Sequence, residues 1–389
     1  MKSCPSCERT FSDLSLSYCL HDGSLLSAPF NSDEYQGDLF SKTEAFDREI
    51  ETVVSKPSHE KITPLPVALE GNRIKFGDNF SVTFERTLRI PDDGNTYPLP
   101  PGLGAFPICK VSDYSTKVPA EWNRHGGVFI PLYQREALWL DFDAADWRPN
   151  AIKIAAGKIN AVTGASWNQS ISADEQDYLV CPPQEWIDGF KTGAGIVRQF
   201  VAVPLGQGYS VAEQLTGSDE FGGLQIIVFD PKAGFFPERE PEMALRSIPD
   251  YDGPLKSVLT EEMGLAAGGK IKQKIYPDPH GAETWDETTF GRLYVHIVNS
   301  TTFTAITGLA APSTPVSAET YTKYGLPWFD LYDEHLTDLP VREELYTVKP
   351  VGLMDKIKGV ISHEEPLSIK ETQIKKVRTD SNKIKDGDW

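Results

Sequence analysis

The chain has 389 residues, 40% of them apolar, with a formal net charge of −18. That surplus of carboxylates argues against nucleic-acid backbones and anionic membrane surfaces as partners, which call for clustered Lys and Arg, and it favours solubility. The most apolar stretch, about six residues over 224–229, is far short of the ~20 residues that span a bilayer, so no membrane span is expected.

The N-terminus, MKSCPSCERTF, has no apolar signal-peptide core, and a cytoplasmic location is expected. Three of the five cysteines fall within the first 19 residues, which points to reduced thiols holding a metal and not to a disulfide framework. Cys4 and Cys7 are three positions apart, so two thiolates on a tight turn can face one tetrahedral ion. Cys19 and Asp22 repeat that spacing. Asp22 is the fourth ligand by position, and His21 is the alternative by ligand preference. Residues 1–26 resemble the small zinc ribbons found at the N-termini of many bacterial cytoplasmic proteins, with CPxC, an aromatic-containing spacer and a third Cys before Asp-Gly. The resemblance implies a structural zinc. The segment departs from the fuller pattern in lacking a fourth cysteine and in carrying Glu8 where glycine is common.

Residues 27–66 are polar and acidic and read as a linker. Within it Phe46, Ile50, Val53 and Val54 recur at helical spacing among acidic residues, which predicts an amphipathic helix over 42–54.

The main body is expected over 67–348. Phe80, Val82 and Phe84 alternate with polar residues, the pattern of a half-buried strand that continues to Ile90. The Pro- and Gly-rich stretch 91–107 reads as an ordered loop or extended strap. Residues 128–132, 137–142, 151–155 and 159–162 read as further short strands at about ten-residue spacing. A helix is expected after Pro182-Pro183 and another over 254–263. The most fully signalled stretch is 198–230. A strand ends at Pro204, Gly206 and Gly208 flank a turn, and Ser210 with Glu213 forms a capping box for a short helix that Gly217 ends. A second strand, 224–229, follows. Residues 292–298 form another, with Leu293, Val295 and Ile297 on one face and Tyr294, His296 and Val298 on the other. A two-turn helix is expected over 317–324.

These elements predict a mainly β fold, an antiparallel sandwich or barrel-like body with a few short helices. The similar fragments Asn160-Ala-Val-Thr-Gly164 and Thr304-Ala-Ile-Thr-Gly308 suggest two related halves, 67–235 and 236–348. Over 349–389, Leu353, Met354, Ile357, Val360 and Ile361 predict an amphipathic helix packed on the body, followed by a disordered charged tail after His363. The body also resembles an uncharacterised family of bacterial proteins in the blocks RTLRIPDDG, VPLGQGYSVAEQLTG and LPWFDLYDE. That resemblance implies a genuine folded domain and carries no activity.

Two constellations have chemical potential. Gly206-Gln-Gly208 before a capped helix has the form of a phosphate cradle, but the dinucleotide and P-loop motifs are missing and Glu213 already supplies a negative charge. Asp278, His280 and Glu283, in a loop before the strand that carries His296, are candidates for a divalent-ion site or a general base. Asp330, Asp333, Glu334 and His335 form an acidic surface turn around Trp328-Phe329. Cys109 and Cys181 read as buried structural thiols. Trp122, Trp139, Trp147, Trp167, Trp186, Trp285 and Trp328 either fill the core or line a groove for a peptide or sugar. The residues favour a non-enzymatic binding or scaffold protein with a protein or glycan partner. The alternative is a metal-dependent or hydrolase-like enzyme using Asp278, His280, Glu283 or His296.

Overall fold

The computed structural model describes residues 2–3, 10–11, 63–239, 262–331, 336–360 and 365–377. The chain divides into two units, Met1–Glu60 and Lys61–Trp389. In the first, Lys2–Ser3 pairs antiparallel with Thr10–Phe11. Cys4, Cys7, Cys19, His21 and Asp22 lie outside the described residues, as do the segment expected to be helical at 42–54 and Asp333, Glu334 and His335.

In the second unit the apolar runs become strands and the glycines become their turns. The main strands are β1 (Val67–Glu70), β2 (Arg73–Phe76), β3 (Phe80–Thr87), β4 (Val128–Leu132), β5 (Ala137–Ala144) and β6 (Asn150–Ala156). They continue with β7 (Ile196–Pro204), β8 (Leu224–Pro231), β9 (Glu262–Lys272) and β10 (Trp285–Asn299). Antiparallel ladders join them in the order β1-β2-β3-β5-β7-β9-β10-β8-β6. β4 adds to β10 in parallel, Val128 opposite Val295. The sheet curls into a barrel-like body, so the fold is mainly β, as the sequence indicates.

The curl buries both faces of the central strands. In β4 every residue is buried, and in β7 and β8 most are. Phe84, Leu140, Phe200, Ile226 and Val295 lie in one large apolar core. A smaller core, with Trp122, Phe129, Val298, Phe303 and Ile306, sits where α1 (Ala120–His125) and α3 (Ser300–Thr307) cover the strands. Of the tryptophans, Trp122, Trp285 and Trp328 are fully buried, whereas Trp139, Trp147, Trp167 and Trp186 are half-buried. Among the described residues no helix is long and apolar enough to cross a membrane.

The stretch around α2 (Val211–Thr216) forms as its caps dictate. The Ser210 hydroxyl accepts the Glu213 N–H at 3.1 Å, and the Glu213 carboxylate accepts the Ser210 N–H at 3.0 Å and the Gly208 N–H at 2.8 Å. Gly217 closes the helix with a φ of 72°, in the left-handed region that suits glycine. The donors that a phosphate would need at Gly208 and Ser210 are therefore taken by the chain's own carboxylate.

Four expectations change. No helix follows Pro182-Pro183; a turn leads into a short strand, Trp186–Ile187, which pairs with β5. Glu262 and Met263, expected at the end of a helix, begin β9. Glycine and alanine make that strand illegible by propensity, but β9 is squeezed between neighbours: a Cβ on Gly268 would lie 2.5 Å from Val201, and one on Gly269 2.5 Å from the Pro91 carbonyl. In α6 (Val351–Lys358), which follows the short α5 (Glu343–Tyr346), only part of the expected apolar face packs on the body: Met354 lies against the cluster of Val351, Tyr209 and Val203. Leu353 is 42% and Ile357 59% exposed, while Val351, Gly352 and Asp355 are buried. Finally, residues 365–377 are ordered. A short 3-10 turn, Glu371–Gln373, leads into β12 (Ile374–Val377), which pairs in parallel with β11 (Trp328–Leu331).

The two similar fragments adopt different structures. Asn160–Gly164 is the end of a short strand and a turn, and Thr304–Gly308 is the last turn of α3 with its cap. Strands from either side of residue 235 pair with one another, β7 with β9 and β8 with β10.

Candidate functional site

The residues singled out for chemistry do not meet in one place. Asp278 is committed to holding its own loop. Its carboxylate accepts the Tyr178 hydroxyl at 2.7 Å, the Trp285 indole N–H at 2.8 Å and the His280 backbone N–H at 2.7 Å. Burial first, and then the hydrogen bond to Asp278, raise the Tyr178 phenol well above its usual range. His280 is exposed and its ring packs edge-on against Phe236 and Trp285. Glu283 is also exposed, and its carbonyl accepts the Lys232 ammonium.

His296 is elsewhere. It lies eleven positions beyond Trp285 on the same strand, β10, which at ~3.3 Å per residue is on the order of 30 Å. It is fully buried, with ring nitrogens 3.0 Å from the Glu262 carboxylate and 3.1 Å from the Gly126 carbonyl. Among the described residues no group of three His, Cys, Asp or Glu is placed to hold a metal ion. Cys109 and Cys181 are buried and unbridged, and burial pushes the Cys109 thiol up to about 11.

A cleft of about 1350 Å³ lies in the second unit. One wall is the end of β3 with the turn Tyr133-Gln134-Arg135-Glu136 between β4 and β5. The other is formed by residues 314–319 leading into α4 (Ala318–Lys323), and by residues 365–373. The walls are fastened by bonds between residues 179 and 227 positions apart in sequence. Arg86 donates to the Ser313 carbonyl at 2.7 Å, and the Tyr133 hydroxyl donates to the Pro312 carbonyl at 2.9 Å. On the far side the Gln373 amide donates to the carbonyls of Thr322 and Leu326 at 3.1 and 3.2 Å.

The turn at the base is unusual in its backbone. Arg135 has a φ of 69°, a left-handed conformation uncommon for a residue with a Cβ. Its geometry is set on both sides. The Arg135 N–H donates to the Ala202 carbonyl at 2.8 Å, and its guanidinium donates to both oxygens of Asp355 in α6, at 2.5 and 2.6 Å. The Tyr209 hydroxyl donates to the same carboxylate at 2.9 Å. Burial opposes ionisation of Asp355, yet the bonds from Arg135 and Tyr209 and the nearby cations hold its carboxyl below the usual range. Next in the turn, Glu136 is buried against Arg86 at 2.6 Å and accepts the Tyr133 N–H at 2.8 Å.

No family model, curated protein or solved structure matches the chain. The cleft must be read from its own chemistry. Its lining mixes hydroxyls of Thr and Ser, the rings of Pro91, Pro315 and Pro366, the exposed side chain of Val316, and charges of both signs such as Lys323 and Glu319. That surface offers donors, acceptors and apolar patches along its length without a concentration of one charge. Sequence reading missed it because no wall is a local motif. The one signal available was the pair of buried-type charges in YQRE, residues 133–136, in a turn between two apolar strands.

Proposed function

We propose that the chain is a cytoplasmic, non-enzymatic binding or scaffold protein whose β-rich body takes an extended polypeptide or glycan in this cleft, while Cys4, Cys7, Cys19 and Asp22 or His21 hold a structural zinc. The observation that carries the reading is that the cleft is built in advance. The bonds of Arg86, Tyr133 and Gln373 fix its walls, so little ordering opposes a ligand on entry. Its volume, about 1350 Å³, exceeds the ~300–1,000 Å³ typical of small-molecule pockets and suits a chain-like ligand. The mixed lining fits a partner with alternating polar and apolar groups. The enzymatic alternative needs His296 beside Asp278, and those residues sit near opposite ends of β10.

The test is to probe defined arrays of peptides and of oligosaccharides with the purified full-length chain. Saturable binding to a structurally related subset is expected, competed by the same ligand free in solution. A flat response on both arrays would contradict the reading.

A further inference from the structure

His296 is buried without exposed surface, and each of its ring nitrogens faces an oxygen: Nε2 the Gly126 carbonyl at 3.1 Å and Nδ1 the Glu262 carboxylate at 3.0 Å. A backbone carbonyl can only accept, so Nε2 must carry a hydrogen. An ionised carboxylate can only accept as well, whereas a neutral imidazole has one N–H and leaves its other nitrogen bare. A neutral ring beside an ionised Glu262 would therefore set two lone pairs against each other inside the protein.

The surroundings favour a cation on the ring. The indole of Trp122 stacks on one side, centroids 4.5 Å apart at 19°, and the phenol ring of Tyr294 lies 4.4 Å away at 21°. Aromatic faces at such distances stabilise a positive charge. Glu262 of β9 and Tyr294 of β10 lie against the ring and His125 of α1 lies near it; Arg124 and Lys158 are close to His125, and Glu220 to Tyr294. His125 is the second imidazole in the stack, its ring 6.3 Å from that of His296. Burial first, and then the charge of His296, hold His125 down to about 4, which leaves one cation in the aromatic stack.

We propose that His296 and Glu262 form a buried proton-binding clasp in which His296 is a doubly protonated imidazolium, donating at once to Gly126 and to Glu262. Gly126 caps the C-terminus of α1, and Glu262 begins β9. The doubly protonated ring thus ties α1 and β9 to β10. The inference is independent of what occupies the cleft. Without the second proton the link to Glu262 is the one lost, while Nε2–H still donates to Gly126.

The test is nitrogen-15 NMR of the full-length chain labelled at histidine, near pH 7. The His296 signals are identified by their absence in His296→Asn or, should that variant fail to fold, by contacts with the Trp122 indole protons. Two N–H signals on His296 are expected. In Glu262→Gln the side-chain amide can donate to a bare Nδ1, so that variant is expected to fold and to show one. A single N–H in the wild-type ring overturns the proposal, wherever the proton has gone. Two N–H signals retained in Glu262→Gln overturn it as well, because Glu262 would then not be what holds the proton.

Discussion

Asp355 of α6 receives both guanidinium nitrogens of Arg135, at 2.5 and 2.6 Å, with its own side chain fully buried. The helix is therefore docked by a buried carboxylate together with Val351 and Met354, while the apolar side chains of Leu353 and Ile357 stay largely in solvent. Removing one partner of a buried pair leaves the other without its counter-charge, which costs about 3–5 kcal/mol when both are buried. The Arg135 side chain is 26% exposed, so Asp355→Ala is expected to lose about 2–3 kcal/mol in urea unfolding. Ile357→Ser should change stability by less than about 0.5 kcal/mol. A larger loss from Ile357→Ser than from Asp355→Ala would show that the helix is held by its apolar residues.

A second prediction concerns Asp188. Its side chain is enclosed, Oδ2 has no hydrogen-bond partner, and burial pushes the carboxyl up to about 7 against the opposing hydrogen bond from the Trp186 side chain. An acid whose folded pKa is raised contributes stability below its unfolded pKa of about 4 and loses it as pH rises through the folded value. At about 1.4 kcal/mol per unit, the loss between about pH 4 and pH 7 is on the order of 4 kcal/mol. Asp188→Asn removes the ionisation. Relative to wild type, the variant should gain stability steadily across that window, as measured by denaturant unfolding at a series of pH values. Parallel curves for the two proteins would refute the assignment.

The capping box predicts a smaller effect. Ser210→Ala removes the acceptor for the Glu213 N–H and should cost about 1 kcal/mol. Because the Gly208 and Ser210 N–H groups are already bonded to Glu213, added inorganic phosphate should not raise the melting temperature beyond what an equal ionic strength of chloride does. A specific, saturable rise would reopen the phosphate reading of Gly206-Gln-Gly208.

The proposed ribbon makes its own prediction. The full-length chain should purify with about one zinc per molecule, and Cys4→Ser with Cys7→Ser should lose it. Retention of zinc by the double variant would place the metal elsewhere.

What the sequence made legible was local. β4 was bounded from its composition at 128–132, and the Ser210–Glu213 box with Gly217 named both ends of α2, since caps and turns are read from neighbouring residues. What it concealed was tertiary. β9 hides behind glycines that exist because other backbones approach them. The order of residues 365–377 depends on a strand and a helix some fifty residues earlier. Hydrophobic periodicity put Leu353 and Ile357 inside because it weighs apolar side chains and has no means of seeing that Arg135 waits for Asp355. The cleft was hidden for the same reason, its walls being joined by Arg86 to Ser313 and by Tyr133 to Pro312.

The claim on which the functional account rests is that the cleft receives the ligand. Val316 is 48% exposed on its rim, and Ser368 is an exposed residue of the same wall. Val316→Asp combined with Ser368→Trp should leave folding stability within about 0.5 kcal/mol per substitution while obstructing the groove. Titration calorimetry of the best peptide or oligosaccharide from the arrays, with wild type and with this double variant, is the direct measurement. The account predicts a tenfold or greater loss of affinity in the variant, about 1.4 kcal/mol or more. Equal affinity for the two proteins would contradict it.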